Sequence, residues 1–274
     1  MKMKKNSRLI IGLVLFIVIL ILGFIVSFFA PANPETWNVY PKNQKPSMEH
    51  IFGTSGLGQD IFWTLTWSLR NSLMFGLVVA FLSTAIGVLI GLLAGLKGGF
   101  LDRILSLLMD SMIVIPILPI LILVGALSQG RSSTLLTVSV LVAFLWPSSA
   151  RQIRAITLRI RENEFVSTAR FSGERTFKIL TQEIFPYLSS WTLGSMISLV
   201  LAAISIESGL AVIGLSNLST PTLGIMIYWA QKHMAFLAGR YWWYGPPILS
   251  VVLLFITLFT LSTGYNEYIS EKRK

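Results

Sequence analysis

Residues 69–96 read LRNSLMFGLVVAFLSTAIGVLIGLLAGL. At a rise of 1.5 Å per residue this run exceeds the roughly 30 Å of hydrocarbon in a bilayer. Backbone surrounded by lipid must satisfy its own hydrogen bonds, so the run is read as a membrane-spanning helix. Gly87, Gly91 and Gly95 recur at every fourth position within it, a stripe that lets a neighbouring helix approach closely. That signal speaks for packing, not for chemistry.

Further runs of the same character are Leu9–Phe29, Ile104–Leu127, Thr134–Ala150, Ser189–Leu215 and Tyr244–Gly264. With 54% hydrophobic and 12% charged residues and a mean hydropathy of +0.72, the chain is more apolar than one water-soluble core could hide. The reading is an all-α membrane protein of six transmembrane helices in one membrane domain. A basic tail and first helix occupy 1–29, an external loop 30–68, a five-helix core 69–265 and a short tail 266–274. The first run exceeds a secretion signal's apolar core and lacks a small-residue cleavage site before Pro31, so it is expected to stay as a span.

Sixteen of the 22 Lys and Arg residues fall on the side of Arg8, Lys97, Arg151 and Lys272 when the spans are laid out in order. That bias places both termini in the cytoplasm. The net charge of +10 is then a matter of topology and lipid, and no nucleic-acid partner is expected. Cysteine is absent, which excludes thiol chemistry and cysteine metal sites. With two histidines and no cysteine, no dedicated metal site is expected.

The external loop carries Pro31, Pro34, Pro41 and Pro46 and ends in Ile61, Phe62, Trp63 and Trp67, which could lie along the membrane interface. The segment 151–187 is different in kind. It mixes seven basic residues with Glu162, Glu164, Glu174 and Glu183 and spaces Ile160, Phe165, Val166, Ala169, Phe171 and Phe177 roughly as a helix would. A soluble helical element broken at Gly173 is expected there, and such an element docks on something.

Within the spans, Trp146 and Pro147 are expected to interrupt the fourth, and Pro116 and Pro119 to kink the third. Asp110 and Glu207 are candidate pathway residues, because an intramembrane carboxylate costs at least ~2.5 kcal/mol unless it faces protein or water. A buried structural hydrogen bond or a position nearer the interface is the alternative for both. Gly209 suggests a local break after Glu207. Gly53-Thr54-Ser55-Gly56 looks like an intramembrane protease's serine motif, but it lies in the external loop, and His50 and His233 also lie outside the spans. There is no nucleotide-binding loop of the G-x-x-x-x-G-K-[ST] type.

Four stretches resemble the inner-membrane permease subunits of ABC importers for dipeptides, oligopeptides and nickel, specifically the second, C-type permease with the type I importer fold. They are Phe52 to Asp60, similar to G-T-D-x-x-G-R-D; Leu101-Asp102-Arg103 with Asp110 and Pro116; Phe165 to Gly173 and on to Pro186, similar to E-A-A-x-x-x-G…L-P; and Glu207 to Leu215 with Pro221 to Met226. The chain departs from the family pattern at Gln59, Ser167, Thr168, Glu183, Phe185 and Leu223. The resemblance implies a permease subunit that binds no cofactor itself. ATP and Mg would sit on two partner ABC ATPases, beside a second homologous permease and an extracytoplasmic substrate-binding protein in a bacterial inner membrane. It also implies that Phe165, Ala169, Arg170, Phe171, Gly173 and Glu174 form the ATPase-coupling loop. The substrate would be a di- or oligopeptide first, nickel or a nickel chelate second. An ion-gradient-driven transporter or channel is the alternative, and an intramembrane enzyme is a more distant one.

Overall fold

The computed structural model describes residues 7–128, 133–174, 178–179 and 184–272. The helices are α1 (Ser7–Leu20, continued by a π turn Ile21–Ile25 and a 3-10 turn Val26–Phe29), α2 (Ile61–Lys97), α3 (Gly99–Val114), α4 (Ile117–Leu127), α5 (Thr134–Ile160), α6 (Glu164–Phe171), α7 (Phe185–Val212), α8 (Leu223–Lys232) and α9 (Tyr241–Lys272). Among the described residues no β-strand forms, and five helices are long and apolar enough to cross a membrane. The α3–α4 pair, bent by 68°, makes a sixth crossing if it is one span.

The long helix α2 is the spine, with α5 on one side and α7 on the other. It begins at Ile61, eight residues before the expected span, because the Asp60 carboxylate accepts the Trp63 amide at 3.2 Å and caps the first turn. The aromatic stretch 61–67 is therefore the start of α2 and not a separate interfacial segment. Leu69, Leu73 and Ala80 of α2 pack with Val200 and Ile204 of α7 and with Leu254 and Leu258 of α9. Outward, Phe81, Leu89, Leu107 and Phe259 stay exposed, as apolar residues do where the solvent is lipid.

Helix α1 runs antiparallel to α9. A Cβ on Gly12 would lie 2.8 Å from the Leu261 amide nitrogen, and one on Gly264 2.6 Å from that of Leu9. Arg8 pairs with Glu267 at 2.5 Å across their ends. This is the basic end of the bundle, where α2 and α5 also finish.

The expectations at Pro119, Pro147 and Gly209 need correction. The third span breaks between Val114 and Ile117: Pro116 forces Ile115 out of the helical region, to φ −72° and ψ 120°. Pro119 does not add a kink, because it lies in the first turn of α4, where its missing N–H has no intrahelical partner to lose. The helix α5 does not stop near Pro147 but runs on to Ile160, so the first part of segment 151–187 is a continuation of a span. Likewise α7 passes through Gly209 and ends at Val212. Gly214, at φ +79°, donates its amide to Ala211 O at 2.8 Å, and Leu215 donates to Leu210 O at 2.9 Å. That double closure, with Leu215 packed on Leu210, is what a left-handed glycine provides at a helix C-terminus.

Candidate functional site

The loop before α2 is an ordered platform. Asn38 and Tyr40 donate amides to Leu57 O (2.8 Å) and Gly58 O (3.0 Å), and Thr54 donates to Gln44 O (3.0 Å). Gly53 and Gly58 adopt φ +70° and +72°, and a Cβ on either would fall 2.4 Å from Gln44 O or 2.7 Å from Tyr40 O. Only glycine fits both demands. Buried His50 holds Asp60 through Nδ1 at 2.7 Å. Ser55 accepts the amides of Leu57 (3.2 Å) and Gln59 (3.1 Å), so its hydroxyl holds a turn together. At the far end of the chain, His233 leans on the Trp229 and Trp243 rings. Its pKa is lowered from the ordinary 6.5, first by partial loss of water and then by Lys232, Lys42 and Arg240.

The glycine stripe of α2 faces α5, and the two helices run parallel. A Cβ on Gly87 would lie 2.9 Å from Ser149 Cβ, on Gly91 2.5 Å from Ala150 O, and on Gly95 2.6 Å from Thr157 Cβ. Toward the basic end, α3 is tied to α5 by two ion pairs. Asp110 pairs with Arg151, both half exposed. Asp102, which the sequence reading did not single out as a site, pairs with Arg154 through two contacts, one of them 2.7 Å. Residues 102 and 110 are two turns apart on α3, and 151 and 154 are neighbours on one face of α5, so helical spacing makes the ladder. Arg161 adds a bond to Gly95 O at 2.9 Å.

Beyond that ladder lies the coupling segment. Val166 of α6 is fully buried with Leu92, Leu96, Ile153, Ile160 and Leu188, which fixes α6 to the ends of α2, α5 and α7. Phe171, by contrast, is 91% exposed. Gly173 stands at φ +77° with nothing near its Cβ direction, and Glu174 pairs with Lys178. The side chains of Phe165, Ala169 and Arg170 lie outside the described residues.

Glu207 sits at the other end, well separated from Asp110. It is 2% exposed. One carboxylate oxygen accepts from Ser216 Oγ at 3.1 Å and Thr222 Oγ1 at 3.0 Å, and the other has no partner among the described residues. It lines a cavity of about 270 Å³ whose polar arc includes Asn71, Thr134, Asn217 and Thr220. Met74, Val78 and Val138 form the apolar wall. Asn71 donates to Pro221 O at 2.8 Å and Asn217 to Thr134 Oγ1 at 3.0 Å, so α2 and α5 both hold the turn after α7. The cue in the sequence was the run of Ser, Asn and Thr after Glu207, which hydropathy alone discounts.

Residues 87–274 match the model of a family described as the binding-protein-dependent transport system inner membrane component. The chain belongs to that family. It is thus a multi-pass protein of the bacterial inner membrane and a transport subunit rather than an enzyme. Among its relatives, the dipeptide transport system permease protein DppC of Bacillus subtilis is 27% identical over 271 residues, 99% of this chain and 84% of that protein. The oligopeptide permease OppC of Lactococcus lactis is 25% identical over 275 residues, 99% and 93% of the two chains. OppC of Mycobacterium tuberculosis is 27% identical over 210 residues, 77% and 72%. Among solved structures, a chain of the inward-facing MetNI methionine ABC transporter superposes with a TM-score of 0.57 at 16% identity, covering 74% of this chain and 95% of that one. The fold is therefore that of a type I importer permease.

Proposed function

We propose that this chain is the C-type permease of an ATP-driven importer for oligopeptides. With a second homologous permease it forms the translocation pathway. Two ABC ATPases bind and hydrolyse ATP with Mg at its basic end, and an extracytoplasmic binding protein delivers substrate at the other. Peptides are preferred over nickel because the relatives above are peptide permeases. The basic end is cytoplasmic on the positive-inside argument.

The observation that supports coupling here is α6: rooted in the bundle by Val166 and offering Phe171 at 91% exposure. A side chain that large left outside on a rooted helix suits a groove on a partner, which can pass rigid-body motion to α5 and α7. Phe171→Asp leaves the bundle's packing untouched, since Phe171 contributes nothing to the buried core. Detergent pull-down of the tagged wild-type chain from its native membrane is expected to bring a second permease and the ATPases, and Phe171→Asp to lose the ATPases while keeping the permease. Equal ATPase recovery with both versions would remove Phe171 from the contact. Recovery of the chain alone would favour an ion-gradient-driven transporter or channel.

A further inference from the structure

The Glu207 carboxylate is expensive where it sits. It lies five residues before the end of α7, about 8 Å below the bundle end opposite the basic one. One oxygen is held by Ser216 and Thr222, and the other is buried without a partner among the described residues. A buried acceptor without a partner is destabilising, and only one of the two carboxylate oxygens is used to hold the turn after α7. Glu207 lines a cavity of about 270 Å³, far more than a single water needs.

We propose that this cavity is a subsite for a primary ammonium group, the free amino terminus of the transported peptide. The proposal rests on the peptide-import reading above. An ammonium presents three donors and one positive charge. Glu207 offers the compensating charge, and Thr134, Asn217 and Thr220 line the same cavity; their oxygens already accept from Asn217 Nδ2 and the Ser219 amide and keep a second lone pair each for an ammonium. The described lining includes no cation that would compete. Opposite the polar arc, Met74, Val78 and Val138 suit the first side chain of a peptide. A bare metal ion is a poor occupant, because among the described residues no three His, Cys, Asp or Glu side chains converge and the space far exceeds one ion. The site lies toward the end at which substrate would arrive, so it reads the amino terminus on entry.

The test is uptake of trialanine and N-acetyl-trialanine by the complete transport complex in proteoliposomes, with wild-type chain and with Glu207→Gln. The amide keeps an oxygen for Ser216 and Thr222 but removes the charge. Trialanine uptake is expected to fall about tenfold, the worth of a hydrogen-bonded charge, with no change for the acetylated peptide. Uptake is read for each peptide as the ratio of Glu207→Gln to wild type, so the binding protein's own preference cancels; where N-acetyl-trialanine is not carried, the labelling below decides. An equal loss for both peptides, or for neither, overturns the proposal.

If Glu207→Gln fails to assemble, labelling of wild-type Glu207 by dicyclohexylcarbodiimide decides. Trialanine should protect it and N-acetyl-trialanine should not, and identical labelling under both overturns the proposal. If the wild-type complex carries neither peptide, the peptide-import reading itself fails and takes this subsite with it. Wild-type uptake of trialanine without an effect of Glu207→Gln leaves that reading standing and removes only the subsite.

Discussion

Replacing Gly91 by valine tests whether the α2–α5 contact holds the bundle. A Cβ at position 91 meets Ala150 O at 2.5 Å, Ile153 Cβ at 2.9 Å and Ile153 Cγ2 at 3.0 Å. Two of these three contacts involve the Ile153 side chain, but the closest atom is backbone, so the helices must part. Restoring ordinary contact at 3.4 Å requires roughly 0.9 Å of separation, before the valine methyls are counted. A gap of that size forfeits a quarter to a half of each contact's ~0.1–0.2 kcal/mol. Over on the order of thirty heavy-atom contacts along the stripe, the loss is about 1–2 kcal/mol, and the methyls bring it to about 2 kcal/mol. For a chain of this size that lowers Tm by roughly 4–8 °C. The control is Gly209→Val, a helical glycine with nothing within 4 Å of its Cβ direction and the same change in helix propensity. Thermal unfolding of the purified chain in detergent, followed by tryptophan fluorescence, reads both. Gly91→Val melting with wild type, or Gly209→Val falling as far, would refute the reasoning.

Other outcomes follow from the same geometry. Gly214→Ala places a side chain at φ +79° with its Cβ 2.8 Å from the Tyr228 ring, and costs about 1–3 kcal/mol in the same melt; wild-type stability would show that the turn after α7 is not closed as described. Asp102→Asn leaves Arg154 without its anion in a partly buried site and costs about 1–3 kcal/mol, with Asp102→Arg/Arg154→Asp recovering part of it; a swap no better than either single change would deny the pairing. His233 is held below the ordinary 6.5, so the folded hairpin favours its neutral form. The stabilisation is present above 6.5 and is lost as pH falls through the lowered folded value. Acidification from about pH 7.5 to 5 should lower the amide protection factors around 229–243, taken relative to the intrinsic exchange rate at each pH, in the wild type but not in His233→Gln, and equal behaviour would discount the histidine.

The spans were legible because lipid imposes a single rule, long apolar runs in helical form, and the runs around Leu69, Thr134 and Ser189 follow it. Their ends were harder to read. Asp60 starts α2 early through a side-chain cap, and Thr134–Ile160 carries its helix past Pro147, which removes one amide bond while packing on both sides retains the helix. Gly209 and Gly214 look alike in sequence, yet only the second takes a left-handed turn, where it meets the Ala211 carbonyl and lets Leu215 meet that of Leu210. At the site, Glu207 stood out as an intramembrane charge, but its partners Ser216 and Thr222 come from the turn after α7, which Asn71 of a second helix holds through Pro221 O. Asp102 and Arg154 were hidden for the same reason: 52 residues separate them in the chain, and no local pattern announces a pair that only the α3–α5 contact creates.

The central claim, that this chain is one half of an ATP-driven import pathway, is tested most directly by uptake of labelled trialanine into proteoliposomes. The account predicts accumulation only when both permeases, the ATPases, ATP and the binding protein are present together. Accumulation by this chain alone, following an imposed ion gradient and indifferent to ATP, would contradict it.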